Sequence, residues 1–386
     1  MHIVYADNNA TTRVDTEVLY AMMPFLTERY GNPSSLHSLG AEASKDLTRA
    51  REQVADSLGV KASEIVFTSG GTESDNTALH GALAAQPKKR HIITTAVEHS
   101  AILNYTKHLA SHGYDVTYVP VDKDAKLDEE RLLEALRPDT CIVSVMWANN
   151  ETGVLFPVAD LARKVKAKSP GVLFHTDAVQ AMGKITINLE DASVDLLSLS
   201  GHKFHAPKGV GVLVVRRGVK IQSMIIGGSH EEGHRAGTEN IASIAGLAKA
   251  CELAKKRVGE MQTRVKTMRD KLETRILAKV PNARINAKNT DRVPNTTSIS
   301  FKDLEAEPIL QALSDEGICA SAGSACKKGV TEPSHVLVAM GIPKEWALGT
   351  IRFSLGHDNT EKDVDRILHK LPSIVSKLTM LSSRCA

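Results

Sequence analysis

The chain has 386 residues, of which 42% are apolar and 24% charged, and its formal net charge is +3. That length predicts two domains, while near-balanced charge, the lack of a dense Lys/Arg block and few aromatics argue against a nucleic-acid partner. No run of residues is apolar enough for a membrane span, and the opening "MHIVYADNNATT" lacks the basic and apolar regions of a secretory signal.

The cysteines fall at 141, 251, 319, 326 and 385, with no CxxC pair, so neither a disulfide framework nor a zinc site is expected. This usage fits a reduced, cytoplasmic protein.

From about residue 60 to 215, short β-rich runs alternate with helix-length stretches. "EIVFT", "HIITT", "DVTYVPV", "CIVSVMW", "VLFHTD", "VDLLSLS" and "GVLVV" predict a mainly parallel α/β sheet, with ligands at the C-terminal strand ends. In "FTSGGTESDN" the strand closes on Gly70 and Gly71, and Thr72 opens a helix. Free N–H groups at such a start make an anion site suited to phosphate, although the same words read as an ordinary glycine turn with a hydroxyl cap. The stretch is neither a Walker A loop nor GxGxxG.

His99 in "AVEHSA" follows the "HIITT" region, and Asn149 and Asn150 in "WANNETG" follow another strand. A lone histidine is commonly a surface or hydrogen-bonded residue. At a cofactor site its ring can lie against a pyridine face and move protons near neutral pH. Asp177 ends the strand in "FHTDAVQ", and Lys203 follows the strand in "LSLSGHKFHAPKGVG". A single lysine there reads most simply as surface charge. Together, an amine nucleophile, a carboxylate for a pyridinium nitrogen and a phosphate turn meet the requirements of pyridoxal phosphate.

Beyond residue 238, Leu247, Cys251, Ala254, Val258, Met261, Val265, Met268 and Leu272 recur at four- and three-residue spacing. This predicts one long amphipathic helix in which Met261 and Met268 are core. "TTSISF", a helix near 305–316, "GTIRFSL" and a final amphipathic helix predict a smaller α+β domain, and the N-terminal arm can pack on either. We divide the chain into a large cofactor-binding domain, 15–260, and a small domain made of 1–14 and 261–386. In "CASAGSACKKGVTEPSHV", residues 319–336, Cys326 stands among small polar residues as a thiol meant to be reached.

"DNNATT", "GNPSSLH", "TSGGTESDN", "VEHSA", "NNETG", "HTDAVQ", "SGHKFHAPKGVG", "RAGTEN", "GSAC" and "EPSHV" occur in that order and span nearly the whole chain. The set resembles the NifS/IscS-type cysteine desulfurases of the class-V aminotransferase family, and its wording is closer to the NifS branch. The resemblance implies a homodimer of the α/β, aspartate-aminotransferase-like fold (pyridoxal phosphate type I). It implies L-cysteine as substrate, with its sulfur passed to Cys326 and on to an iron–sulfur scaffold protein or other acceptor.

Residue by residue, it implies Lys203 as the Schiff-base lysine, Asp177 at the pyridine nitrogen, Gln180 at the phenolic oxygen and His99 on the ring. Gly71, Thr72, Ser200 and His202 would hold the phosphate, with Thr238 adding a contact across the dimer. Asn150, also counted with the cofactor, and Arg352 would receive the substrate carboxylate. Cys326 could at most share an iron–sulfur cluster with a scaffold. Thiolate activation falls to His99 or to Lys327 and Lys328. Within the same fold the competing reading is a selenocysteine lyase or related pyridoxal-phosphate enzyme, often lacking an essential loop cysteine. This chain departs from the family wording at Lys327-Lys328, at Glu232 and His234, and in the tail "KLTMLSSRCA" that holds Cys385.

Overall fold

In the computed structural model, residues 2–322 and 332–382 are described. Seven strands form the principal sheet in the spatial order Ile65–Thr68, Gly211–Val215, Leu196–Ser200, Leu173–Asp177, Thr140–Ser144, His91–Thr95, Asp115–Val119. Neighbours run parallel except around Gly211–Val215, which is antiparallel to both of its partners. The predicted mainly parallel sheet is therefore observed, with one reversed strand.

These strands read as near-continuous apolar runs because helices cover both faces. The pleat sorts the residues: Phe67, Ile93, Val143, Leu197 and Val212 enter one core cluster with the helices Ser38–Leu58 and Ile241–Glu260. Their neighbours Val66, Ile92, Ile142, Leu196 and Leu213 enter another, under the helices Gly71–Ala85 and Ser100–Ser111. Chain order reverses between Thr140–Ser144 and His91–Thr95, and such a reversal opens a crevice at the carboxyl ends of the strands.

An antiparallel sheet of Thr350–Ser354, Thr296–Phe301 and Ala283–Ile285 packs with the helices Lys266–Lys279, Ala306–Asp315 and Glu361–Ser382 in a separate core cluster. The predicted long helix is present as Ile241–Glu260 and Lys266–Lys279 joined by a π-helical turn, Met261–Val265. Leu247 and Cys251 serve the first cluster, whereas Met261, Val265, Met268 and Leu272 serve the cluster of the small sheet. The wider turn sits at the changeover and re-aims the apolar stripe.

The N-terminal arm joins both regions. Val4–Tyr5 pairs in parallel with Ile318–Cys319, and the Asn8 amide donates to the Ser354 carbonyl at 3.0 Å. A few residues later the Thr12 amide donates to the His202 carbonyl at 2.9 Å and the Asp15 amide to the His205 carbonyl at 3.1 Å. Asn9 and Ala10, between these anchor points, are thereby laid along the wall of the crevice.

Candidate active site

The crevice holds a cavity of about 580 Å³. Its wall gathers ten of the residues singled out in the sequence, which come from six separate segments of the chain.

The helix Gly71–Ala85 opens on this cavity. Its N-cap, Gly70, supplies no side-chain hydrogen bond, so the first-turn N–H groups are left for a ligand. Glycine at 71 is required by packing, since a Cβ there would stand 2.8 Å from Val179 Cγ2. Thr72, Ser200 and His202 complete the rim of this anion-suited end. Burial, then the charges of Lys203 and Lys208, push the His202 imidazole down to about 4, leaving it neutral, with Nδ1 3.1 Å from Thr11 Oγ1.

Lys203 stands just past the strand Leu196–Ser200, and its Nζ donates to the Asn9 and Ala10 carbonyls at 2.8 Å each. Burial and then the Arg352 charge lower its amine to about 8, against the pull of Asp177 and Asp7. A lysine so placed reaches the neutral, nucleophilic form close to neutral pH.

Asp177 is buried at the end of its strand, and its Oδ1 accepts from the Val179 amide at 2.8 Å. Burial raises its pKa, while His99, the Val179 amide and Lys203 each favour the ionised form. His99 Nδ1 accepts from the Ala101 amide at 3.2 Å and caps the helix Ser100–Ser111. That bond places the proton of the neutral ring on Nε2, and burial depresses its pKa further.

Gln180 donates from Nε2 to the Asn9 carbonyl at 3.0 Å, and its Oε1 accepts from Lys184 Nζ. Arg352 is 4% exposed; its Nη1 donates to the Asn150 carbonyl at 2.9 Å and its Nη2 to Asp7 Oδ1 at 2.8 Å. Its Nε has no hydrogen-bond partner. Asn149 is a structural residue, buried with its amide on the Val97 carbonyl and its Oδ1 taken by the Glu151 and Thr152 amides.

Thr238 is exposed and is not on this wall. Cys326, Lys327, Lys328 and Cys385 lie outside the described residues. Ser321 and His335, on either side of the segment 323–331, both line the cavity.

Sequence reasoning missed Asp7, Asn9, Asp75, Lys184 and His335. His335 Nε2 pairs with the Glu98 carbonyl at 2.9 Å, and a carbonyl can only accept, so in the neutral ring the lone pair falls on Nδ1. Lys184 is fully buried on Asn9 Oδ1 at 2.8 Å, and burial beside Lys203 and Arg352 drives its pKa far down. "EPSHV" and the arm motif "DNNATT" were signals for His335 and for Asp7 and Asn9. Asp75 stood inside "TSGGTESDN" with no role attached to it, and Lys184 carried no signal beyond its place in a turn.

The group implied by the motifs can be tested against this wall. An uncapped helix start with a glycine cradle, a buried carboxylate beyond a flat imidazole, and an amine of lowered pKa fit the phosphate, ring and aldehyde of pyridoxal phosphate.

A model of the family described as "Aminotransferase class-V" matches residues 4–367. The chain belongs to the class-V aminotransferase family. It is 52% identical over 380 residues to the "Cysteine desulfurase NifS" of Azotobacter vinelandii, covering 98% of this chain and 94% of that one. It is likewise 52% identical over 382 residues to the "Cysteine desulfurase" of Trichormus azollae, covering 99% and 95%. Among solved structures, a "NIFS-LIKE PROTEIN" superposes with a TM-score of 0.92 at 43% identity, covering 98% of this chain and all of that one. Another, "SspA in complex with cysteine", superposes at 0.80 with 33% identity over 91% of this chain and 98% of that one. This class-V family chain therefore has the aspartate-aminotransferase-like fold that its motifs imply.

Proposed function

We propose that the protein is a pyridoxal-phosphate-dependent L-cysteine desulfurase, yielding L-alanine and a persulfide on Cys326. The observation that carries the reading is the meeting of Lys203, Asp177 and Arg352 at one cavity, in a chain half identical to cysteine desulfurases over nearly its full length. When bound, pyridoxal phosphate would act as the electron sink that weakens bonds to the substrate's α-carbon.

The chain's own groups do the rest. Gly71, Thr72, Ser200 and His202 would hold the phosphate, Asp177 the ring nitrogen, Gln180 the phenolic oxygen, and His99 would lie on the ring face. Arg352, held by Asp7 and by the Asn150 carbonyl, presents a planar fork to the substrate carboxylate. Lys203 Nζ, neutral once its proton has left, takes the α-proton.

The Cys326 thiolate then attacks the substrate sulfur. The carbon–sulfur bond breaks, a sulfur–sulfur bond forms, and a proton completes the methyl group of alanine. His99 Nε2–H and the His335 Nδ1 lone pair are the proton-handling atoms on the wall. Both flanks of the segment that carries Cys326 lie at this cavity, which supports its role as acceptor.

We assign the protein to the cytoplasm, acting as a homodimer that delivers sulfur to an iron–sulfur scaffold protein. No described helix is long and apolar enough to cross a membrane. Leu19, Tyr20, Met23, Leu26, Leu36 and Ile226 are exposed apolar residues that a second copy would cover, with Thr238 then reaching the partner's phosphate. The domain division at residues 14/15 and 260/261 is retained as part of this reading. Purified protein should be yellow and release alanine from L-cysteine, and Lys203→Ala should bleach it. A colourless wild type that ignores added pyridoxal phosphate would sink the assignment.

A further inference from the structure

The cavity floor carries a second carboxyl group that the proposed reaction leaves unused. Asp75, in the helix Gly71–Ala85, is 1% exposed and lines the cavity, and its Oδ1 has no hydrogen-bond partner. Asp75, Asp177 and His99 each present an atom within 4.8 Å of the others. Glu98, wholly buried, adds its own negative potential when ionised. The cation facing the group is Lys203, because His99 and His175 are neutral rings, His175 being pushed by burial to about 3.

Two carboxylates this close and this deeply buried do not both ionise. The surroundings decide which keeps the proton. Asp177 has the Val179 amide at 2.8 Å and the Lys203 cation beside it. Asp75 has only the Ser198 hydroxyl, with its Oδ1 3.7 Å from His175 Nε2, and its pKa is raised well above the usual carboxylate range by burial and by Asp177.

We infer that Asp75 is a neutral carboxylic acid and a positioning residue, keeping Asp177 as the single ionised carboxylate under the ring nitrogen. The last clause rests on the pyridoxal phosphate reading; the protonation of Asp75 does not.

A hydrogen-bonded chain reports on that proton. His175 Nδ1 is 2.8 Å from Ser144 Oγ and Nε2 is 2.9 Å from Ser198 Oγ, which also meets Asp75. With Asp75 protonated, its O–H donates to Ser198, Ser198 donates to His175 Nε2, and His175 carries its proton on Nδ1. With Asp75 ionised every donor reverses, and the ring proton moves to Nε2.

The test is ¹⁵N NMR of the full chain labelled in histidine, at neutral pH, with and without pyridoxal phosphate, the His175 signal being assigned by its loss in His175→Gln. The Nδ1–H tautomer is expected in the wild type and in Asp75→Asn, a neutral isostere that can still donate to Ser198. Cofactor affinity of Asp75→Asn should stay within about threefold of wild type. A wild-type Nε2–H tautomer would overturn the inference, as would a cofactor affinity lowered about tenfold or more in Asp75→Asn. If no pyridoxal phosphate binds, the functional reading fails, while the tautomer of the cofactor-free protein still decides the state of Asp75.

Discussion

Arg352 Nη2 lies 2.8 Å from Asp7 Oδ1, so a residue of the N-terminal arm orients an arginine on a strand of the small sheet. With Nη1 on the Asn150 carbonyl, the guanidinium plane is fixed from two other segments at once. Loosening that plane should cost substrate binding before it costs chemistry. Asp7→Asn is expected to raise KM for L-cysteine by about threefold to tenfold with kcat little changed, the loss of one charge-assisted bond. Arg352→Ala should lower kcat/KM by about 30-fold or more. Steady-state kinetics on both variants checks this, and an unchanged KM in Arg352→Ala would contradict it.

The lowered amine of Lys203 predicts a pH profile. Cofactor loading requires the neutral amine, so its rate should climb about tenfold per pH unit below about 8 and level above it. The same shift enters stability. The folded amine loses its proton at about 8 and the unfolded one at its ordinary value of 10.5. Between those values the unfolded chain binds the extra proton, so stability rises with pH. In cofactor-free protein, the difference in melting temperature between wild type and Lys203→Met should therefore move in favour of the wild type across that window and be flat below it.

Glu98 gives the opposite sign. Its Oε1 accepts from Thr95 Oγ1 at 2.8 Å and from the Met146 amide at 2.9 Å, its Oε2 has no partner, and burial raises its pKa to about 8. Between the ordinary value of 4.5 and about 8 the folded state holds a proton that the unfolded chain has lost, so stability falls as pH rises. Glu98→Gln keeps the acceptor and removes the titration. Denaturant melts should show the variant gaining on wild type from pH 4.5 to about 8 and holding level above.

His99 caps a helix through Nδ1, and the proposed reaction gives its Nε2 the separate duty of handling protons. Asparagine is a good N-cap without an imidazole. His99→Asn should therefore leave the melting temperature nearly unchanged while lowering kcat by about 10²- to 10⁴-fold. His99→Leu should lose both activity and about 1 kcal/mol of stability. Equal destabilisation by the two variants would refute the division of roles.

The strands and their order of use were legible because β-rich runs bounded by polar turns recur at helix-length intervals. Lys203 and Asp177 were legible as strand-end residues, and the uncapped helix start as paired glycines before a helix. Asp7 and Asn9 stood in the motif "DNNATT" without a role, and Lys184 had no signal beyond its turn, because their partners are met only where the arm crosses from one core cluster to the other. Asp75 reads in sequence as an ordinary polar residue of the helix that follows the paired glycines. Only the fold shows it sealed against Asp177 with an unpartnered oxygen. Thr238 was legible as a motif residue, but its exposed position leaves its proposed role to a second copy of the chain.

Sulfur transfer to Cys326 is the centre of the account, and peptide mass spectrometry after a single turnover with L-cysteine tests it most directly. The wild type should carry one additional sulfur atom on the peptide containing Cys326, removable by thiol reductant, with one alanine released per sulfur gained. Cys326→Ala should stay yellow, bind L-cysteine and release no alanine. Alanine production by Cys326→Ala at the wild-type rate, or a persulfide found on Cys319 in place of Cys326, would contradict it.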